Sequence, residues 1–211
     1  MLSTVTSGAE GCFDWIVTTG PAAEPVTAAQ VKSQLRLTTT DDDTRLSDLI
    51  IPAARSICEA YTNRAFIDQS ITLIYDGTPP SVLELPRAPL DSVTSINTID
   101  SDGTSSTFAT TNYTVDTGVE PGRVFLKESK TWPSDLRTHR GVEIVYVAGY
   151  GTAGSDVPSP INHAIILQAA YMFENPLGTD GKEQNFVSSV GDMEPIHDAK
   201  LLLNRYKVWN V

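Results

Sequence analysis

Apolar residues recur along this chain at two different spacings, and the change of spacing divides it. From residue 25 to 65 they return every three to four positions, the period of a helix with one buried side. Thr27 with Gln30 three residues later is a capping-box pair preceded by Pro25, so a first helix is expected from Thr27 to near Leu37. Val31 and Leu35 share its buried face. Asp41, Asp42 and Asp43 are expected to open a second helix, where carboxylates cap free N–H groups and meet the positive dipole end. Leu46, Leu49, Ile50, Ala53, Ile57 and Tyr61 then cover about half its circumference, with Asp48, Arg55 and Glu59 opposite. Pro52 falls inside this pattern and is expected to kink or break the helix.

From Ser70 to Tyr150 short β-branched runs alternate with turn residues. The predicted strands are Ile71–Tyr75, Val82–Leu85, Val93–Ile99, Ser106–Ala109, Tyr113–Asp116, Val124–Leu126 and Val142–Ala148. Asp102-Gly103 marks a hairpin turn. Pro158 and Pro160 introduce a third helix, Ile161–Glu174, that is apolar nearly all round. A helix without a wide polar face has to be buried on most sides, and part of that burial is expected from neighbouring subunits. Residues 175–192 are polar and Gly-rich and read as a mobile loop. A last helix is expected with Pro195 in its first turn and Ile196, Ala199, Leu202, Leu203 and Tyr206 on its apolar side.

The predicted class is α+β: a helical core built from N-terminal and C-terminal helices, with an inserted antiparallel β module. The expected boundaries are an N-terminal arm over 1–24, a helical core over 25–68 plus 157–206, a β module over 69–152 and a C-terminal tail over 207–211. The arm is rich in Ser, Thr, Gly and Ala around the apolar knot Phe13, Trp15 and Ile16, which is expected to dock on its own domain or on a neighbour.

Composition narrows the function classes. The chain has 211 residues and a net charge of −11, a balance that repels phosphate backbones and argues against sequence-reading DNA binding. Cys12 and Cys58 are far apart and in no CxxC pair, so a reducing cytosol without a disulfide framework is expected. The first twenty residues carry Glu10 and Asp14 and no basic start with an apolar run, so no targeting leader is expected. No stretch approaches the roughly 18 apolar residues that span a bilayer, so no membrane partner is expected.

Each candidate chemistry has a plainer account. Gly149-Tyr-Gly151-Thr-Ala-Gly154 matches the dinucleotide-binding GxGxxG, but Pro158 and Pro160 delay the helix that would hold pyrophosphate, and a Gly-rich connection is the better reading. A calcium loop starting at Asp41 would need Gly and Glu where Leu46 and Pro52 stand. His139, His163 and His197 lie in different segments and form no metal-ligand spacing. No GxSxG elbow is present. Lys32, Arg36, Arg45, Arg55 and Arg64 read as a solvated face paired with Asp48 and Glu59 in preference to a contact with an acidic neighbour. The expectation is therefore no enzyme, no cofactor and no metal.

The order of segments carries a resemblance. Pro25-Val-Thr-Ala-Ala-Gln-Val-Lys-Ser-Gln-Leu-Arg-Leu37 leads into the Asp cluster, followed by Leu49-Ile-Ile-Pro-Ala-Ala-Arg-Ser-Ile-Cys-Glu-Ala-Tyr-Thr-Asn-Arg-Ala65 and Glu84-Leu-Pro-Arg-Ala-Pro-Leu-Asp-Ser-Val-Thr-Ser-Ile96. Trp132-Pro133, Val142–Gly151, Val157–Leu167 and Leu201–Tyr206 complete it. This order resembles the head–tail connector (adaptor) family of long-tailed bacteriophages and gene transfer agents over residues 25–175, and more weakly over 195–206. Pro52 stands where that family usually has a helix former, and Asn204 where proline is common before the Arg-Tyr pair.

The resemblance implies a structural virion protein of the neck, assembled in the host cytoplasm as a homo-oligomeric ring, usually of twelve copies, beneath the portal protein. Such a ring extends the DNA channel, lets genomic DNA pass without specific binding, and offers a platform for the next neck or tail protein, a stopper or tail terminator. It also implies portal docking by Leu203, Tyr206 and Trp209. Inter-subunit contact is expected from Ile161, Ile165 and Met172 of the third helix and from Leu49 and Ile57 of the second. Asp180 and Glu183 are the expected channel lining. The alternatives are a head-completion or tail-terminator ring protein, and a β-rich carbohydrate- or protein-binding module using Trp132 and Tyr113.

Overall fold

The computed structural model describes residues 6–7, 12–175 and 194–209. The chain divides into two compact units, a β unit of residues 1–22 and 68–150 and a helical unit of residues 23–67 and 151–211. Helices and antiparallel sheets coexist, as the α+β class requires.

The β unit contains nine strands among its described residues: β1 (Thr6–Ser7), β2 (Cys12–Thr19), β3 (Gln69–Tyr75), β4 (Val82–Glu84), β5 (Leu90–Ile99), β6 (Ser105–Thr107), β7 (Tyr113–Asp116), β8 (Arg123–Leu126) and β9 (Val142–Ala148). They form a six-stranded sheet in the order β1-β2-β3-β9-β5-β6 and a three-stranded sheet in the order β4-β8-β7. Period-two alternation explains β9: Val142, Ile144, Tyr146 and Ala148 are buried while Glu143, Val145 and Val147 are less so. Its inward residues face Tyr75, Leu73 and Ile71 of β3 in register, and Ile144 also faces Ile96 of β5. Such aligned apolar pairs fix register, because a one-residue slip would turn every core side chain outward. The fully buried Tyr146 donates its hydroxyl to the Pro86 carbonyl at 2.7 Å. Burial holds its phenol above the ordinary pKa, with nearby Arg87 pulling the other way.

The segment expected to be an arm contributes a strand to this sheet. Cys12–Thr19 pairs with β3 from Phe13↔Tyr75 to Thr19↔Ser70, with a bulge between Val17 and Thr19. Trp15 is buried, and the Arg87 guanidinium lies 4.8 Å from its ring centre. The knot docks on its own chain because unpaired backbone in an apolar setting costs more than ladder formation.

The helical unit consists of α1 (Ala28–Leu35), α2 (Asp43–Arg45), α3 (Ile51–Thr62), α4 (Ser159–Glu174) and α5 (His197–Leu203). Thr27 and Gln30 form the reciprocal capping box at the start of α1, and Arg36 in left-handed conformation ends it. Asp42 at the start of α2 makes no capping hydrogen bond. Asp43 instead takes a 2.6 Å ion pair from Lys32, which ties α1 to the following turn. The regular α pattern changes next to Pro52: Leu46–Ile50 form a wide π turn, and Pro52 falls in the first turn of α3, where its missing N–H is tolerated. Pro195 precedes α5 rather than entering its first turn, since Ile196 is the residue that caps it.

The Gly-rich connection is structural. A Cβ on Gly149 would lie 2.5 Å from the Asp68 backbone nitrogen, and one on Gly154 would lie 2.2 Å from the Pro25 carbonyl oxygen. Glycine here permits backbone to approach backbone. Gly154→Ala is therefore expected to destabilise the helical unit by about 1–3 kcal/mol, the usual cost of overpacking. A denaturant titration checks this, and an unchanged midpoint would contradict it.

Candidate functional site

Helix α4 is the axis of the helical unit. It packs against α1, α3, α5 and the π turn, so Ile161, Ala164, Ile165 and Ala169 are fully buried within one copy. Ile161 and Ile165, expected to meet a neighbouring subunit, are thus covered by helices of the same copy. Ile57 is likewise buried, on α3. Leu203, expected to dock on the portal, is fully buried at the end of α5. Asp180 and Glu183 lie outside the described residues.

Other expected contacts are on the surface. Leu49 in the π turn is 64% exposed and Met172 on α4 is half-buried. Tyr206 is half-buried, and Trp209 is 71% exposed. Two further large apolar residues of the helical unit are exposed among the described residues, Tyr171 on α4 and Leu201 on α5, the latter 62% exposed. A signal for Leu201 is present in the sequence: it stands opposite the apolar stripe of Ala199, Leu203 and Tyr206 on a helical wheel. A leucine on the polar side of a short helix has no core to reach.

The C-terminal segment is held in a defined place on the end of α3. Asn63 ends that helix in left-handed conformation. The carbonyl of Thr62, which no further helical turn could satisfy, accepts from the Val208 amide at 2.9 Å. The buried Arg64 donates to the Tyr206 carbonyl, and the Tyr61 hydroxyl donates to Asn204 at 2.6 Å. The Lys207 ammonium lies 4.4 Å from the Tyr61 ring centre and 4.6 Å from that of Trp209. Trp209 is thus presented from an anchored segment, which lowers the ordering entropy a partner must overcome.

Beneath the surface, α3 carries a buried charge network. Arg55 donates to Glu59 at 2.7 Å and to Glu24 at 2.8 Å, while the other Glu59 oxygen accepts from the Phe66 amide at 2.9 Å. Burial alone would lower the Arg55 pKa, but the charges of Glu59 and Glu24 and their hydrogen bonds outweigh it, so the net shift is upward. Burial pushes the neighbouring Cys58 thiol up to about 12, with a smaller contribution from Glu59, which leaves it inert at neutral pH. The expected solvated face is corrected here: Glu59 does pair with Arg55, but the pair is buried, Arg64 is buried as well, and Asp48 accepts from Ser47 and takes no cation among the described residues.

Among the described residues, no group of three or more His, Cys, Asp or Glu side chains could hold a metal ion. No described helix is long and apolar enough to cross a membrane. In the β unit, Trp132 and Tyr113 are buried and flank Phe108, with ring centres 4.7 and 6.1 Å from it. Trp132 also donates its indole N–H to the Pro80 carbonyl. Both aromatics are core residues and neither presents a face to a sugar.

A family model described as head completion protein matches residues 24–182. The fold resembles a chain in the neck of an empty gene transfer agent particle computed with sixfold symmetry, with a TM-score of 0.73 and 24% identity over 93% of this chain and 96% of that one. A chain in the virion of a native gene transfer agent particle matches with a TM-score of 0.71 and 23% identity over 93% and 96%. A chain in the native neck computed with twelvefold symmetry matches with a TM-score of 0.69 and 21% identity over 100% and 97%. No curated protein matches the chain.

Proposed function

The chain belongs to the head completion protein family, and from that premise we propose that it is a structural head–tail connector subunit of a virion neck. Its copies form a ring, twelve in number, beneath the portal protein and above the next neck or tail component. The observation that carries this reading is the match of fold along nearly the whole chain to chains from particle necks. Sixfold and twelvefold symmetry describe those necks, and twelve copies fit both. The family's description as head completion fits the same position, because a ring that joins beneath the portal closes the head and offers the tail its platform.

The physical properties suit the role. A net charge of −11 on every copy gives the ring a field that repels phosphate within about 10 Å at moderate salt, so DNA slides through without being gripped. Asp180 and Glu183 remain the proposed lining. Portal docking falls to Trp209 with Tyr206 beside it, since an exposed aromatic on an anchored segment is the usual centre of a small interface. The subunit performs no catalysis in this role and assembles in the host cytoplasm before joining the virion.

Mixing the purified protein with the portal of its own particle and imaging by negative stain tests the proposal. The expected image is a ring of twelve on the tailward face of the portal. Trp209→Ala is expected to weaken that binding by about 2 kcal/mol, roughly thirtyfold, with an unchanged melting curve. Failure of the wild-type protein to bind the portal under any salt condition would refute the reading.

A further inference from the structure

We propose that neighbouring copies meet head to tail through the two ends of α3, the acidic end of one copy against the basic end of the next. This rests on the ring proposed above and names the surfaces that close it.

The two ends differ in charge and share an apolar centre. At the start of α3 the segment 41–48 carries Asp41, Asp42, Asp43 and Asp48 against Arg45 alone. Lys32 reaches Asp43, and Arg45 lies 3.9 Å from Asp42. Asp41 and Asp48 are exposed, and among the described residues neither has a cation partner. Leu49 lies beside Asp48 with most of its side chain in water. Arg45, one turn earlier, stacks over Phe173 at 5.3 Å, so this face continues onto the end of α4.

At the other end of α3 the chain from Ala199 to Trp209 holds Lys200, Arg205 and Lys207 and no acidic residue. Glu194 already holds Lys200, and Lys207 lies against the Tyr61 and Trp209 rings, which leaves the exposed Arg205 to face an outward partner. Leu201 and Arg205 are four residues apart and both exposed, so an apolar side chain again stands next to a charge.

The twelve residues of α3 separate the two ends by about 18 Å, so the opposite charges cannot reach each other within one copy. Two different patches that fit each other form a heterologous contact, and such contacts add copies until the ring closes. The leucines supply desolvated area, and the charges set register and reject a copy docked the wrong way round.

Charge reversal on portal-bound protein tests the contact. Asp48→Arg and Arg205→Asp are each expected to lower the yield of complete rings at least about tenfold, through like-charge opposition. Both residues are exposed, so melting curves should be unchanged. Combining the two substitutions in one chain is expected to restore rings. Rings formed equally well by each single variant would overturn the contact and leave the ring standing, whereas absence of wild-type rings would fail the ring itself. A second measurement uses Leu49→Cys with Leu201→Cys in a Cys12→Ser background. Mild oxidation of assembled rings should give a ladder of covalent multimers, and a product that stops at dimers, or no cross-link in intact rings, would overturn the head-to-tail arrangement.

Discussion

Ile165→Asp is expected to unfold the helical unit rather than merely prevent its assembly. Ile165 is fully buried on α4, between helices that belong to the same copy. Removing its side chain forfeits about 2–5 kcal/mol of packing. The new carboxylate does greater damage, because a buried charge without a partner costs several kcal/mol more, or stays neutral only by a steep rise in its pKa. A domain of this size has about 5–15 kcal/mol of stability in total. The combined loss is at least about 5 kcal/mol, so the variant should lose the cooperative melt and the helical circular-dichroism signal of the wild type. Ile165→Leu, which keeps volume and polarity, should cost less than about 1.5 kcal/mol. A folded, soluble Ile165→Asp monomer that fails only to form rings would place the residue at a subunit interface, against its burial here.

That outcome separates what the sequence can and cannot say about α4. The absence of a polar face on Ile161–Glu174 implies burial on most sides, and Ile161, Ala164, Ile165, Ala169 and Ala170 are buried, while Ile166, Leu167, Met172 and Phe173 are half-buried and Tyr171 is exposed. It does not identify what does the covering. α1, α3 and α5 do so, and their arrangement depends on contacts distant in sequence. The β unit is more transparent. Tyr113–Asp116 and Val142–Ala148 form strands over the same residues that their alternation marks, since the period-two pattern is a local consequence of one buried face. β2 is hidden for the opposite reason. Phe13, Trp15 and Val17 do alternate, but Ile16 blurs the pattern, and the partner β3 lies more than fifty residues away. Pro52 is legible as a disturbance, yet its resolution by a π turn depends on which turn has room for the extra residue. Of the surface, Leu49 and Trp209 are conspicuous because one is an apolar residue near a helix start and the other lies near a chain end. Leu203 is separable from Leu201 by helical spacing, because it shares a face with Ala199 and Tyr206 and is buried while Leu201 is exposed.

Glu59→Ala is expected to be the most damaging single change to a charged residue, at about 3–5 kcal/mol. The carboxylate is buried and accepts from the Arg55 guanidinium at 2.7 Å and from the Phe66 amide at 2.9 Å. Its removal leaves Arg55 with Glu24 and strands an amide donor in an apolar setting. The upward shift of the Arg55 pKa means that this cation cannot escape by losing its proton in any ordinary buffer. Replacing both partners, Arg55→Met with Glu59→Leu, should recover part of the loss, because no under-paired buried cation then remains, though Glu24 loses its cation and the Phe66 amide still lacks its acceptor. Cys58, one residue from Glu59, reports the result directly. Its thiol pKa of about 12 in the folded chain, against an ordinary value near 9, makes it unreactive until the unit opens. The sign of this linkage is that folding favours the protonated thiol, so its contribution to stability is complete below pH 9 and is lost as pH rises from 9 towards 12. Labelling at neutral pH in a Cys12→Ser background therefore measures opening alone. Where opening and closing are fast relative to labelling, a loss of about 3 kcal/mol raises the rate about 150-fold. Labelling of Glu59→Ala at the wild-type rate would show that the network contributes nothing to holding α3 in place.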